Sequence, residues 1–125
     1  VCYGDTLINI NINKYIKFFM SNPRKITAAT YRLDSSFGIF NIEKKNQIID
    51  FKEKPILDIW FNVGYLLFSS NDFKLFNRFK KFKDLLKYLA KTNVMKAYKH
   101  YGNHVTINTF AELEKAKKVA VNYIK

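Results

Sequence analysis

The sequence is short of the residues that build disulfide frameworks, zinc modules, linkers and fibrous repeats. Its 125 residues include one cysteine, two prolines and four glycines. A single cysteine excludes an internal disulfide and a cysteine-based zinc module and fits a reducing compartment. The most apolar run, from Ile59 to Phe68, is interrupted by Asn62 and Gly64 and is too short to cross a bilayer as a helix. We therefore expect a cytoplasmic globular protein without a membrane partner.

Acidic residues are also scarce, with 10 Asp and Glu against 22 Lys and Arg and a formal net charge of +12. Such a balance attracts anions, including nucleic acids, nucleotides and phosphorylated sugars. Only three of the basic residues are arginines, whereas nucleic-acid readout favours the bidentate arginine fork. We therefore expect no nucleic-acid partner, keep a basic nucleic-acid-binding module as a distant alternative, and assign much of the charge to solvated surface.

What is present is an ordinary globular composition, 48% hydrophobic and 26% charged, with apolar residues that alternate between strand and helix periods. The period predicts helices over 11–21 and 82–89, and a short one near 73–79. A capping box, Thr109-Phe110-Ala111-Glu112, predicts a last helix that runs to about Tyr123. The predicted strands are 1–3, 25–32, 37–42, 47–51, 59–68, 94–99 and 104–107.

Strands that alternate with helices are typical of an α/β layered fold. The two strands around Glu43-Lys44-Lys45-Asn46 indicate a β-hairpin. We therefore predict a Rossmann-like, mixed and mostly parallel sheet with a hairpin insertion, in one domain over residues 1–125. The chain opens on Val1 rather than methionine, in what looks like the end of a strand, so we expect the start of the fold to lie upstream.

Gly4 and Asp5 follow the first predicted strand, where ligands of open α/β sheets bind. A carboxylate there suits Mg²⁺ shared with substrate phosphates. A simple turn is the alternative, and from spacing alone it is favoured.

Two further segments carry polar groups beside predicted strands. Lys54 can bind a phosphate and Glu53 can accept hydrogen bonds from sugar hydroxyls, although an exposed, ion-paired strand end explains both residues as well. Asn62 lies in a very apolar run, on the strand face that Trp60 and Gly64 are expected to share. It predicts either a ligand groove or a β-bulge with the amide bonded to backbone.

The remaining metal-ligand and nucleophile types give no site. His100 and His104 are separated by Gly102-Asn103, which argues against a helical metal pair. Cys2 is expected to be a small buried strand residue.

The order of these segments is more informative than any one of them. The segments are Tyr3-Gly4-Asp5, Ser36-Phe37-Gly38, Phe51-Lys52-Glu53-Lys54-Pro55, Trp60-Phe61-Asn62-Val63-Gly64-Tyr65 and His104-Val105-Thr106-Ile107-Asn108-Thr109. In this order they resemble the sugar-1-phosphate nucleotidyltransferase family, and within it the glucose-1-phosphate cytidylyltransferases. The resemblance covers nearly the whole chain but only the C-terminal part of the family's catalytic domain.

The resemblance implies an enzyme that joins an NTP and a sugar 1-phosphate, with Mg²⁺ as cofactor and a homo-oligomer as a possible assembly. Asp5, after Gly4, then corresponds to the metal-binding aspartate, and Glu53 and Lys54 to the residues that hold the sugar hydroxyls and phosphate. Gly38, and Asn62 with Gly64, correspond to positions that border the sugar.

Three positions depart from the family pattern: Thr6, Val63 and, above all, Asn108, which stands where the family usually has a second metal-binding aspartate. The family's glycine-rich, arginine-containing loop does not occur in this sequence either. The resemblance therefore implies a chain that is inactive by itself. A catalytically silent relative that binds sugar phosphate or nucleotide is the alternative.

Overall fold

The computed structural model describes residues 1–23 and 25–121, and its centre is a three-stranded sheet. Strand β2 (Ile26–Asp34) lies between β5 (Ile56–Leu67) and β6 (Met95–Lys99), antiparallel to the first and parallel to the second. Short polar connections and two covering layers complete the fold. The sheet is the frame on which the candidate residues are placed.

One face of this sheet is covered by helix α1 (Ile12–Met20) and by the antiparallel pair β1 (Thr6–Ile8) and β7 (His104–Thr106). The helix begins at Asn11, whose side chain accepts a hydrogen bond from the Lys14 backbone N–H. The buried residues of this layer are Ile10, Tyr15, Ala29 and Val63. The Tyr15 hydroxyl lies 3.0 Å from the Thr27 carbonyl oxygen and 2.8 Å from that of Tyr65, which ties the helix to the sheet.

The other face is covered at one end only. Helices α2 (Phe73–Phe76) and α3 (Phe82–Lys91) pack there, and Leu85 and Leu89 of α3 bury Ile26 of β2. The register shows what lies towards the opposite end of this face, because residues two apart on a strand share a face. These residues are Thr30 and Arg32 of β2, Trp60 and Asn62 of β5, and Lys99 of β6. They are half-buried or exposed, and we call them the open half of the sheet.

A hairpin of β3 (Ile39–Ile42) and β4 (Ile48–Lys52) projects between β2 and β5. Its turn places Lys45 and Asn46 at positive φ. The last described helix, α4 (Phe110–Ala120), begins with the expected reciprocal capping box of Thr109 and Glu112.

The mixed α/β class, the hairpin and the order of the elements from α1 onwards are confirmed, whereas strand β1 was not expected and Tyr123 lies outside the described residues. Parallel pairing is less frequent than expected. Among the described strand pairs, β2–β6 is parallel, and β1–β7, β2–β5 and β3–β4 are antiparallel. The reason is topological: the segment after β2 folds as its own hairpin, so β5 returns antiparallel to β2.

The first residues add one bridge rather than a full strand. Cys2 forms an isolated antiparallel bridge with Tyr65 of β5. Its side chain is exposed, so the expectation of a buried cysteine is wrong. This bridge lies at the edge of the sheet, where a residue can pair through its backbone and keep its thiol in solvent. Among the described helices, none is long and apolar enough to cross a membrane.

Candidate functional site

The structure brings Asp5 and Asn108 to the same end of one strand pair. Thr6 of β1 faces Thr106 of β7, and one residue further on the Ile107 N–H donates a 2.7 Å hydrogen bond to the Asp5 carbonyl oxygen. Gly4 and Asp5 form the turn that leads into β1, and the Thr6 hydroxyl donates to Asp5 Oδ1 at 3.2 Å. The turn interpretation is therefore correct, and it leaves the Asp5 carboxylate exposed beside the residue that precedes Asn108.

Glu112 is the other carboxylate beside Asn108, and it serves the helix. It accepts hydrogen bonds from the backbone N–H groups of Asn108, at 2.8 Å, and Thr109, at 2.9 Å. The Asn108 N–H, followed by the Thr109 hydroxyl, lowers the pKa of Glu112. Its charge is thereby directed at the first turn of α4.

The donors at this end fit part of a magnesium shell. Within residues 1–23 and 25–121, no three His, Cys, Asp or Glu side chains converge as a metal cluster. Mg²⁺ needs fewer, because it is bound by one or two carboxylates together with substrate phosphates and water. Asp5 can supply one carboxylate, and Asn108 can supply a neutral amide oxygen.

Asn62 lies in a β-bulge and bonds to backbone. Its Oδ1 accepts from the Gly64 N–H at 2.9 Å, and its Nδ2 donates to the Tyr3 hydroxyl at 3.2 Å. The register with β2 shifts between Asn62 and Leu66, and Gly64 has a φ of +80°. Because of this bulge, Val63 and Gly64 are both buried. The regular alternation of strand faces that we expected from Trp60 to Gly64 is therefore interrupted.

Gly38 and Glu53 meet at the base of the hairpin. A Cβ atom at Gly38 would lie 2.4 Å from the Phe51 ring and 3.1 Å from Glu53 Oε2, so only glycine fits there without a shift. Lys54 follows with a φ of 43°, and both Glu53 and Lys54 are exposed. The Pro55 carbonyl accepts from the Ser35 N–H at 3.0 Å, which holds this turn against the end of β2.

The structure thus forms two groups of candidate residues, one around Asp5 and one around Lys54. No hydrogen bond or ion pair among the described residues joins these two side chains. At about 3.3 Å per residue, the stretch from Lys54 to Asn62 spans up to roughly 26 Å along β5, less where the strand bulges. That the two groups act on one polyanion stays a prediction.

The sequence did not reveal the cluster on the open half of the sheet. Lys99 Nζ lies 4.7 Å from the centre of the Trp60 ring, Arg32 Cζ lies 5.8 Å from it, and Tyr101 meets the ring edge-on at 5.6 Å. The spacing of Trp60 and Asn62 was a usable signal for this face. Lys99 and Arg32 come from other strands, so their places depend on sheet register.

The two histidines belong to an aromatic layer and not to a metal site. His104 stacks on Tyr31 at 5.2 Å, and His100 Nε2 lies 3.0 Å from Asn9 Oδ1. Burial lowers the pKa of both rings, and the charge of His100 lowers that of His104 further.

We expect these histidines to make the fold less stable in mild acid. In the unfolded chain the histidine pKa values are about 6.5, so the unfolded chain binds protons at a pH where the folded rings are still neutral. The contribution of the neutral histidines to the free energy of unfolding is therefore complete above the unfolded pKa. It decreases as the pH falls below this value towards the lower pKa values of the folded rings. Thermal unfolding between about pH 7 and pH 5 should show a falling midpoint, with a weaker slope in His100→Asn/His104→Asn. A midpoint that stays constant or rises on acidification in both proteins would contradict this expectation.

Comparison with known proteins gives a consistent result. No family model matches the chain. A curated relative from Bacillus subtilis (strain 168), named "Probable glucose-1-phosphate cytidylyltransferase", is 31% identical over an alignment of 123 residues, and the match covers 94% of this chain and 47% of the relative. A crystal structure named as that of "a Putative Glucose-1-Phosphate Thymidylyltransferase from Bacillus anthracis in Complex with a Sucrose" is 22% identical, with a TM-score of 0.68. The match covers 96% of this chain and 53% of that one.

This chain spans about half the length of each of these two proteins. The structural likeness supports the fold, and the sequence match covers 94% of the chain. In its sequence and its fold, the chain is similar to sugar-1-phosphate nucleotidyltransferases, over about half of their length.

Proposed function

We propose that the whole protein transfers a nucleotidyl group from an NTP, with CTP as the first candidate, to a sugar 1-phosphate such as glucose 1-phosphate. The products are an NDP-sugar and pyrophosphate. The observation that carries this proposal is the 31% identity over 123 residues with a relative named as a cytidylyltransferase of this kind. The placement of Asp5 and Asn108 at one end of the β1–β7 pair supports it.

In this reaction a phosphate oxygen of the sugar phosphate is itself the nucleophile, so no general base is required. The protein has to position the two substrates in line and neutralise phosphate charge. Asp5, with the Asn108 amide, would hold Mg²⁺, which when bound would neutralise part of that charge. Lys54 would meet the sugar phosphate, and Glu53, which lies next to Gly38, would accept hydrogen bonds from the sugar hydroxyls.

Binding of glucose 1-phosphate to the 125-residue chain tests the proposal. Lys54→Met should weaken binding about tenfold, because it removes one charge-assisted contact to phosphate. Isothermal titration calorimetry in the presence of Mg²⁺ measures this affinity directly.

Lys52→Met is the matched control, since Lys52 is an exposed lysine two residues earlier. It should bind glucose 1-phosphate as the unmodified chain does. Equal losses in the two variants would mean that general positive charge accounts for binding, and an absence of saturable binding would refute the proposed substrate.

A catalytically silent binding protein is the second candidate, and Asn108 favours it. A neutral amide binds Mg²⁺ more weakly than a carboxylate, and the nearby Glu112 carboxylate already serves the helix. Such a protein would hold sugar phosphate or nucleotide without turnover.

A further inference from the structure

We propose that Trp60, Lys99 and Arg32, on the open half of the sheet, form a further phosphate-binding site. This inference rests on the proposed function, because it assigns the site to a phosphate-bearing substrate of that reaction. It adds two cations and an aromatic ring to the residues considered above.

The sheet register fixes the arrangement. Arg32 faces Trp60 across the β2–β5 pair, and Thr30, two residues before Arg32, faces both Asn62 of β5 and Lys99 of β6. These side chains therefore form a row across three neighbouring strands, with Trp60 and Asn62 at one side and Lys99 at the other. The row is built on regular strands and not on a loop.

The charges in this row are incompletely balanced. Lys99 and Arg32 both lie within 6 Å of the centre of one indole ring, so two like charges, which repel each other, lie against the same side chain. Arg32 pairs with Asp58 at 3.7 Å and donates from Nε to the Leu57 carbonyl at 3.4 Å, but the Asp58 side chain is 89% exposed. Among the described residues, Lys99 forms no ion pair.

A bound anion would relieve this repulsion. The face of an indole ring attracts cations, which explains how Trp60 holds them in place without neutralising them. The edge-on contact with Tyr101 supports the ring orientation. A phosphate dianion, placed between a lysine and an arginine, receives charge-assisted hydrogen bonds from both.

The recess beside the cluster can take part of such a ligand. It measures about 120 Å³, with Arg32, Tyr101, His100 and Asp34 among its lining residues, and is a little smaller than the roughly 150 Å³ cavity that can hold a benzene ring. Asp34 disfavours an anion at its own end, so we place the phosphate at the Lys99 end. Burial lowers the pKa of His100, which leaves this ring neutral near pH 7.

The position relative to Asn62 indicates which ligand is suitable. Asn62 and Trp60 share a strand face, and Asn62 belongs to the residues proposed to border the sugar. A ligand over this row would meet amide and indole groups at one side and two cations at the other. That pattern suits a hydroxylated ring joined to phosphate, which is present in both a sugar phosphate and a nucleotide.

Trp60 is the only tryptophan of the chain and reports directly on this site. A phosphate that draws Lys99 and Arg32 away from the indole should change its fluorescence in a saturable way. We would titrate the full 125-residue chain separately with inorganic phosphate, glucose 1-phosphate, CTP and uncharged glucose. We expect a response to the phosphate compounds and none to glucose, and the tighter of glucose 1-phosphate and CTP identifies the source of the phosphate.

Lys99→Met should shift the midpoint of this titration to about tenfold higher ligand concentration. Lys96→Met is the matched control, because Lys96 is an exposed lysine of the same strand whose register partner, Thr27, lies on the other face of β2. Its midpoint should stay unchanged, and Lys99→Arg should restore most of the affinity.

The two proposals can fail separately. If glucose 1-phosphate and CTP each bind in calorimetry with the same affinity to Lys99→Met and to the unmodified chain, the inference is overturned while the proposed function stands. If inorganic phosphate gives the Lys99-dependent response and glucose 1-phosphate binds no tighter, the phosphate site stands and the proposed substrate does not. If no phosphate compound changes the fluorescence of Trp60 in a saturable way, the site is overturned.

Discussion

Gly64→Ala is expected to lower the free energy of unfolding by about 3 kcal/mol or more. Gly64 has a φ of +80°, in a region that costs an L-residue about 1–2 kcal/mol. Its new Cβ atom would lie 2.3 Å from Cγ and 2.7 Å from Cβ of Tyr3. Tyr3 cannot move away freely, because its N–H donates to the Gly64 carbonyl at 3.0 Å and its hydroxyl accepts from Asn62 at 3.2 Å.

Gly4→Ala makes the same chemical change where there is space, since no atom of the described residues lies within 4 Å of its Cβ position. We expect it to change stability by less than about 0.5 kcal/mol. Urea unfolding of both variants, followed by circular dichroism, gives the two free energies. Similar losses for the two would show that Gly64 is not held as described, and that the bulge around Asn62 adapts.

Asn108→Asp is expected to raise the affinity for Mg²⁺ about tenfold or more. The substitution places a second carboxylate at the end of the β1–β7 pair where Asp5 lies, and hard cations prefer charged oxygen ligands. Calorimetric titration with MgCl₂, with and without glucose 1-phosphate, measures the gain. If the whole protein is a silent binder because of Asn108, the same change should introduce metal-dependent turnover in the full-length enzyme.

A general increase in negative charge has to be separated from a metal ligand. Asn11→Asp adds the same charge at an exposed helix N-cap, where aspartate is accepted as readily as asparagine. Its Mg²⁺ affinity should remain that of the unmodified chain. If Asn108→Asp gains no more than this control, Asn108 does not face the metal and the proposed pairing with Asp5 is wrong.

The elements could be predicted from the sequence because their signals are local. The apolar period of α1, the capping box of α4 and the turn residues of the hairpin each act over a few residues. Strand pairing depends on residues far apart in the chain. The antiparallel partner of β2 and the exposure of Cys2 could therefore not be derived from a short window of the sequence.

The same difference between local signals and long-range pairing applies to the residues of the candidate site. The turn at Asp5 follows from local residue types, and one of the two interpretations of Asn62, a bulge bonded to backbone, is observed. That Asp5 lies beside Asn108 was implied only by the family resemblance, since nothing local links the two positions. The cluster around Trp60 could not be found at all without knowing that Lys99 lies across β2 from it.

The pairing of β1 with β7 has a consequence for the order of folding. Thr6 and Thr106 are roughly 100 residues apart, so their ladder forms only after a long and entropically unfavourable loop has closed. The helices and the hairpin need no such closure. Asp5 and Asn108 therefore come together late, and a kinetic intermediate with its secondary structure already in place would not yet possess the end of the molecule where we propose that Mg²⁺ binds.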